Sequence, residues 1–129
     1  MNNALVNSMP FTASLGIEIT HADAESVKGN FAIKEEHCTI ANSVHGGALM
    51  AFADSLGAIA AFMNLPDGAT GTTTIESKTN FLRPAPAGST ITAVTTPVSV
   101  GKKLCVLSTT IRSAEGKAIA VVTQTQMVL

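Results

Sequence analysis

The sequence contains no tryptophan and no tyrosine, and charged residues fill only 13% of its 129 positions. Five phenylalanines are its only aromatic residues, which leaves few platforms for stacking single-stranded bases. Nine acidic residues nearly cancel eight basic ones, for a formal net charge of −1. No basic field is therefore available to attract nucleic acid or anionic lipid, and neither partner is expected.

Cysteine is equally scarce. Cys38 and Cys105 lie far apart, with no CxxC pair, and read as free thiols of a reducing cytosol. His37, Cys38, His45 and Asp54 are metal-ligating residue types, but no ligand spacing such as HExxH joins them, and His21, His37 and Cys38 are expected as surface or loop residues. No metal and no cofactor is expected. The first ten residues, MNNALVNSMP, carry no Lys or Arg and no apolar stretch of signal-peptide length. The longest apolar run, Ala48 to Met63, is interrupted by Asp54 and Ser55 and falls short of the ~20 residues a membrane span requires. A cytoplasmic protein with no membrane partner is the expectation.

What is present is apolar: 46% of the residues are hydrophobic. The length suits one domain, residues 1–129. An ordinary soluble domain has about 25% charged residues, so this chain has too little polar surface to cover a lone monomer. Part of its exterior should be buried against another copy.

After a helical turn near Leu5, Leu15–Thr20 and Ser26–Lys34 have strand character. Val27, Gly29, Phe31 and Ile33 alternate with Lys28, Asn30, Ala32 and Lys34, the period of a half-buried strand. A loop from Glu35 to Val44 leads to His45-Gly46-Gly47. The following stretch, Ala48 to Leu65, is rich in Ala, Leu and Met and ends before Pro66-Asp67-Gly68, so it reads as one helix stopped by a turn. Apolar on nearly every side, it belongs inside the protein. Thr72–Phe81, Ser89–Ser99, Leu104–Ser113 and Ala118–Val128 are rich in Thr, Val and Ile and read as strands joined by short turns. The predicted architecture is α+β, a curved antiparallel sheet wrapped around a long central helix.

Asp54 is the only ionisable side chain between Gly46 and Leu65. Burying an unpaired carboxylate costs several kcal/mol, and Asp is a poor helix-interior residue. Satisfaction by neighbouring hydroxyls in a purely structural role is one reading. A carboxylate held in a cleft for chemistry accounts better for that cost. His45-Gly46-Gly47 opens the same helix. Its first amides are unpaired and favour negative charge, and glycine admits a ligand carbonyl close to the backbone. This is a candidate oxyanion hole. Asp54 lies eight residues beyond Gly46, about 12 Å along the axis, too far for both to meet one carbonyl. A symmetric dimer that sets Gly46 of one chain against Asp54 of the other removes the difficulty. Ser43, His45 and Asp54 are triad residue types, but there is no G-x-S-x-G and the helix separates His from Asp.

V-H-G-G-A-L-M-A-F-A-D-S, the later N-F-L-R-P-A, F-x-x-x-L-G-I-E-I from Phe11 to Ile19 and the G-K-K-L turn span almost the whole chain. Together they resemble the hotdog-fold acyl-CoA thioesterases of the phenylacetic-acid-degradation and 4-hydroxybenzoyl-CoA types. The resemblance implies a hotdog fold and hydrolysis of acyl-CoA to free acid and CoA, in a dimer or a tetramer of paired dimers. It assigns the Gly46 amide to the thioester carbonyl, with His45 lining and orienting that site. Asp54 of the partner chain is general base toward water, or nucleophile through an anhydride, and Thr74 holds the lytic water. Relatives carry Asn six residues before the His. Here Thr39 stands there, and Asn42 stands three before His45 where Gly is usual, so either is a candidate substitute. Gly47, Arg83, Lys102 and Lys103 are candidate substrate-binding residues, the three cations for the CoA phosphates, with Arg112 a weaker one. A thioester with a thiolate leaving group needs no metal. A hydratase or dehydratase of the same architecture and a non-catalytic acyl-CoA-binding protein are the alternatives.

Overall fold

The computed structural model describes residues 2–129. Two short helices, α1 (Asn2–Asn7) and α2 (Pro10–Ser14), precede strands β1 (Glu18–Ala22) and β2 (Val27–Ala32). Two single-turn 3-10 helices then lead into α3 (Gly46–Met63), which is followed by β3 (Thr72–Phe81), β4 (Thr90–Val100), β5 (Leu104–Arg112) and β6 (Ala118–Val128). Six strands form one sheet in the order β1-β2-β4-β5-β6-β3, antiparallel at every pairing. The sheet curls around α3, which touches β1 through β6. This is the hotdog arrangement expected from the sequence, with β6 at the predicted bounds.

Three local expectations shift. The first strand begins at Glu18 rather than Leu15, because Leu15 closes α2 with its amide bonded to Phe11 and Thr12 carbonyls. The central helix starts two residues early at Gly46, where the His45 Nδ1 caps it, and ends two residues early at Met63. His37, expected on the surface or in a loop, is buried. Its Nδ1 accepts from the Lys34 amide at 3.0 Å, and its ring packs on Phe31 with centroids 4.9 Å apart.

The core lies between α3 and the inner face of the sheet. Leu49, Phe52, Ala53, Leu56, Ile59 and Ala60 point down from the helix onto Phe31, Ile91, Leu107, Ile111 and Val122, all at most 1% exposed. Phe52 meets Phe31 edge-on at 5.4 Å, an arrangement worth about 0.5–1.5 kcal/mol beyond the area buried. Cys105 and Cys38 are free, and burial pushes the Cys105 thiol up, away from thiolate chemistry.

α3 is long and apolar enough to cross a membrane by length and composition, the single such helix among the described residues. Half of it is buried in the protein, the position of a core helix. It is not buried all round, however. Gly46, Met50, Asp54, Ala58 and Phe62, spaced four apart, stay partly or fully exposed, so one stripe of the helix is left open. Beside it runs β3, an edge strand of ten residues, none of them buried.

Candidate active site

Asp54 sits midway along that open stripe, half-buried rather than enclosed. Its carboxylate Oδ1 accepts from the Thr74 hydroxyl at 2.7 Å and from the Gln124 side-chain amide at 3.5 Å. Thr74 in turn accepts from the Gln126 amide at 2.6 Å, and the Gln126 carbonyl accepts from the Thr72 hydroxyl at 3.1 Å. Among the described residues, Asp54 Oδ2 has no hydrogen-bond partner. One oxygen is anchored and the other is free of protein partners among the described residues.

The strands set this up. Gln126 on β6 lies directly opposite Thr74 on β3, close enough for cross-strand side chains to meet. A bulge between Thr74 and Glu76 then breaks the register, which switches the inward phase from Thr72 and Thr74 to Ser77 and Thr79. Gln124 reaches Asp54 because residue 57 is glycine. A Cβ there would lie 1.9 Å from the Gln124 Oε1, a distance no packing tolerates.

At the other end of the stripe, His45 is the N-cap of α3, and its Nδ1 accepts from the Gly47 amide at 2.8 Å. In its neutral form the ring therefore carries its proton on Nε2. The Ala48 and Leu49 amides bond to the His45 carbonyl. That leaves the Gly46 amide without an acceptor among the described residues, at the positive end of the helix. It opens on a cleft of about 360 Å³ lined by Val44, Leu49, Phe81, Leu82, Arg83 and Pro84. His45 and Gly47 border a separate hollow of about 200 Å³ with Phe11, Leu15 and Cys38.

Thr39 and Asn42 lie in the loop that feeds α3, both exposed. Ala41 and Asn42 hold left-handed backbone conformations, φ 58° and 55°, which costs an Ala of order 1 kcal/mol. The loop is fixed through Thr39 N to Ser43 O at 2.7 Å and Ala87 N to Asn42 O at 3.1 Å. Neither side chain bonds to Asp54 or Thr74.

The fold thus unites Asp54 with Thr74 and separates both from Gly46, as the spacing required. It does not unite the three cations. Arg83 lies at the Gly46 end, its guanidinium donating to the Ala118 carbonyl at 2.9 Å. Lys102 and Lys103 follow the far end of β4, an eleven-residue strand and so roughly 35 Å long. The sequence reading missed Gln124 and Gln126. Their signal was the alternation of β6, whose inward positions Ala120, Val122, Gln124 and Gln126 turn polar at two buried sites.

A long helix inside a curled antiparallel sheet, with a half-buried carboxylate on its open side, is the hotdog arrangement. Residues 41–120 match the thioesterase superfamily, and the chain belongs to that family. A solved Haemophilus influenzae thioesterase is 26% identical, with a TM-score of 0.90 over 100% of this chain and 90% of that one. At lower identity the likeness speaks for the fold. PaaI of E. coli, from the phenylacetic acid degradation operon, is 23% identical, with a TM-score of 0.88 over 98% and 89%. A hypothetical thioesterase of Streptococcus pneumoniae solved with coenzyme A is 21% identical, with a TM-score of 0.80 over 88% and 85%.

Proposed function

We propose that this thioester hydrolase acts on acyl-CoA at two equivalent sites per dimer, each joining the Gly46 amide of one protomer to the partner's Asp54. The observation that carries this reading is the Asp54 carboxylate, anchored through Oδ1 and open at Oδ2, a fixed helical distance from an unpaired amide. The open stripe has the symmetry the dimer needs. Antiparallel helices that set Gly46 against the partner's Asp54 also set Met50 against the partner's Met50 on the two-fold axis, and all three positions lie on the exposed stripe. Phe62, Ile75, Phe81 and Leu82, each more than half exposed, form an apolar margin that such a dimer covers, and the long β3 edge supplies unpaired backbone groups. Val94, Val98, Val100 and Leu104 on the outside of β4 and β5 are also exposed and offer a second face for joining dimers into a tetramer.

The chemistry then runs without a metal. The Gly46 amide donates to the thioester oxygen, at the helix end that best tolerates the developing charge. Water attacks the carbonyl carbon and gives a proton to the partner's Asp54 at Oδ2. The tetrahedral intermediate expels the CoA thiolate, which takes up that proton. Direct attack by Oδ2, with hydrolysis of the resulting anhydride, uses the same geometry. The acyl group fits an apolar cavity of about 300 Å³ lined by Leu5, Met9, Ala58, Ile59, Phe62 and Thr72, which begins one helical turn past Asp54. Arg83, at the mouth of the Gly46 cleft, meets CoA phosphate. The two free thiols suit a single domain in a reducing cytoplasm.

Two variants test the shared site. Asp54→Asn removes the base and keeps the side-chain volume, so kcat for acyl-CoA hydrolysis, followed by thiol release, should fall by about 10²–10⁴. Gly46→Pro removes the donor at a helix position that tolerates proline, with His45 already extended, ψ 135°; its Cβ would lie 3.1 Å from the Phe81 ring, which must give by a few tenths of an ångström. Mixing the two inactive chains under subunit exchange gives heterodimers with one intact site, and activity should return to about one quarter of the unmodified level. Absence of recovery despite exchange rules out sites shared between protomers, and an unchanged Asp54→Asn rate removes Asp54 from the mechanism.

A further inference from the structure

We propose that Gln126 and Gln124 are positioning residues that fix which Asp54 oxygen reacts, Gln126 through Thr74 and Gln124 directly. The inference rests on the thioesterase reading above. Two glutamines on the core side of a strand, each 1% exposed, need a reason, because a buried amide without a full set of partners is costly. Packing alone favours Val or Leu there.

The bonding directions supply the reason. Gln126 spends its carbonyl on the Thr72 hydroxyl and its amide on Thr74. With its oxygen already accepting from Gln126, Thr74 turns its single proton toward Asp54 Oδ1. Every donor in the series Thr72, Gln126, Thr74 points at the carboxylate, and hydrogen bonds chained in this way polarise one another. Gln124 adds a second donor to the same oxygen, while its own Oε1 is buried without a partner above Gly57. Both glutamines thus act on Oδ1, and the carboxylate is held with Oδ2 turned to the open stripe. Thr74 is thereby bound to the carboxylate rather than free to hold water alone.

The test separates positioning from packing. Gln126→Met keeps the volume and removes both polar contacts. kcat should fall about tenfold with KM within twofold, since of the residues lining the acyl cavity it touches only the Thr72 hydroxyl. In a Thr74→Val background the same change should have no further effect on kcat, because its route to Asp54 is already cut. If the two losses multiply instead, Gln126 does not act through Thr74 and the inference is wrong. Gln124→Glu supplies a second measure. Its carboxyl can donate to Asp54 only while protonated, so its rate should drop on the alkaline side where the unmodified protein's does not; parallel profiles overturn the Gln124 role. Should Gln124 variants fold poorly, Gly57→Ala displaces that amide, and adding Gln124→Ala should restore stability without restoring rate. Restored rate overturns the role. An activity-independent readout covers failure of the thioesterase reading itself: Asp54→Asn should shift the side-chain amide NMR signals of both glutamines. A shift at neither, or at Gln124 alone, refutes the relay whether or not acyl-CoA is hydrolysed.

Discussion

The two sides of α3 differ more than any two regions of the molecule. On one, Leu49, Phe52, Leu56 and Ile59 are almost wholly buried. On the other, Gly46, Met50, Asp54, Ala58 and Phe62 remain open, and their side chains range from none to a phenyl ring with a carboxylate between. The first side does the work of folding, through apolar area removed from water. The second places an acid, an unpaired amide and an apolar cavity along one line, open to a ligand or a second copy. A helix apolar on both sides serves both ends at once. Its composition therefore conceals the division of labour, and only Asp54 betrays it.

The largest effect that tests this division is on the closed side. Phe52→Ala should lose about 3–5 kcal/mol of stability, measured by urea denaturation at one fixed protein concentration, since dissociation of oligomers shifts the midpoint. kcat per folded chain should change far less than in Asp54→Asn. Conversely, Asp54→Asn should leave the unfolding free energy within about 1 kcal/mol of the unmodified protein. If Asp54→Asn unfolds the chain as Phe52→Ala does, the carboxylate is structural and the contrast between the sides fails.

A smaller effect comes from the open side. Ala58→Leu projects three extra carbons into the cavity past Asp54. The ratio of kcat/KM for a medium-chain or phenylacyl thioester to that for acetyl-CoA should drop by about tenfold, roughly the value of one or two methylene groups in a hydrophobic pocket. An unchanged ratio places the acyl group elsewhere.

Much of this architecture was legible from the residues. The strand alternation, the helix stop at Pro66 and the turn signals each name a local preference that the packed structure keeps. The N-terminal boundary was not, because Leu15 and Ile17 look alike by pattern and only the α2 carbonyls decide that Leu15 closes a helix. His37 was misread for a similar reason: a polar ring between Glu36 and Cys38 looks exposed until Phe31 is known to lie beneath it. At the site, Asp54 stood out as a lone charge and Thr74 through a family resemblance. Gln124 and Gln126 escaped notice because glutamine is ordinary on a strand surface. Their placement depends on strand phase and, for Gln124, on a glycine 67 residues earlier in the chain, a pairing visible only once β6 lies across α3.

The smallest effect concerns charge, and it contrasts the two ends of the sheet. Arg83 borders the cleft that opens on Gly46, whereas Lys102 borders a hollow beside Pro66, Asp67 and Leu129 at the far end of β4. Coenzyme A carries its phosphates on the leaving-group side of the thioester, so in the proposed site they should exit at the Gly46 end. Arg83 is solvent-exposed, and an exposed ion pair contributes less than about 1 kcal/mol. Arg83→Gln should therefore raise KM about threefold at low salt with kcat unchanged. The difference should shrink as ionic strength rises and the Debye length falls below the contact distance. Lys102→Gln in the same chain should matter less, unless the proposed dimer brings it round to the partner's cleft. A larger, salt-dependent KM rise for Lys102→Gln than for Arg83→Gln would show that the phosphates lie across the dimer from the amide that binds the carbonyl.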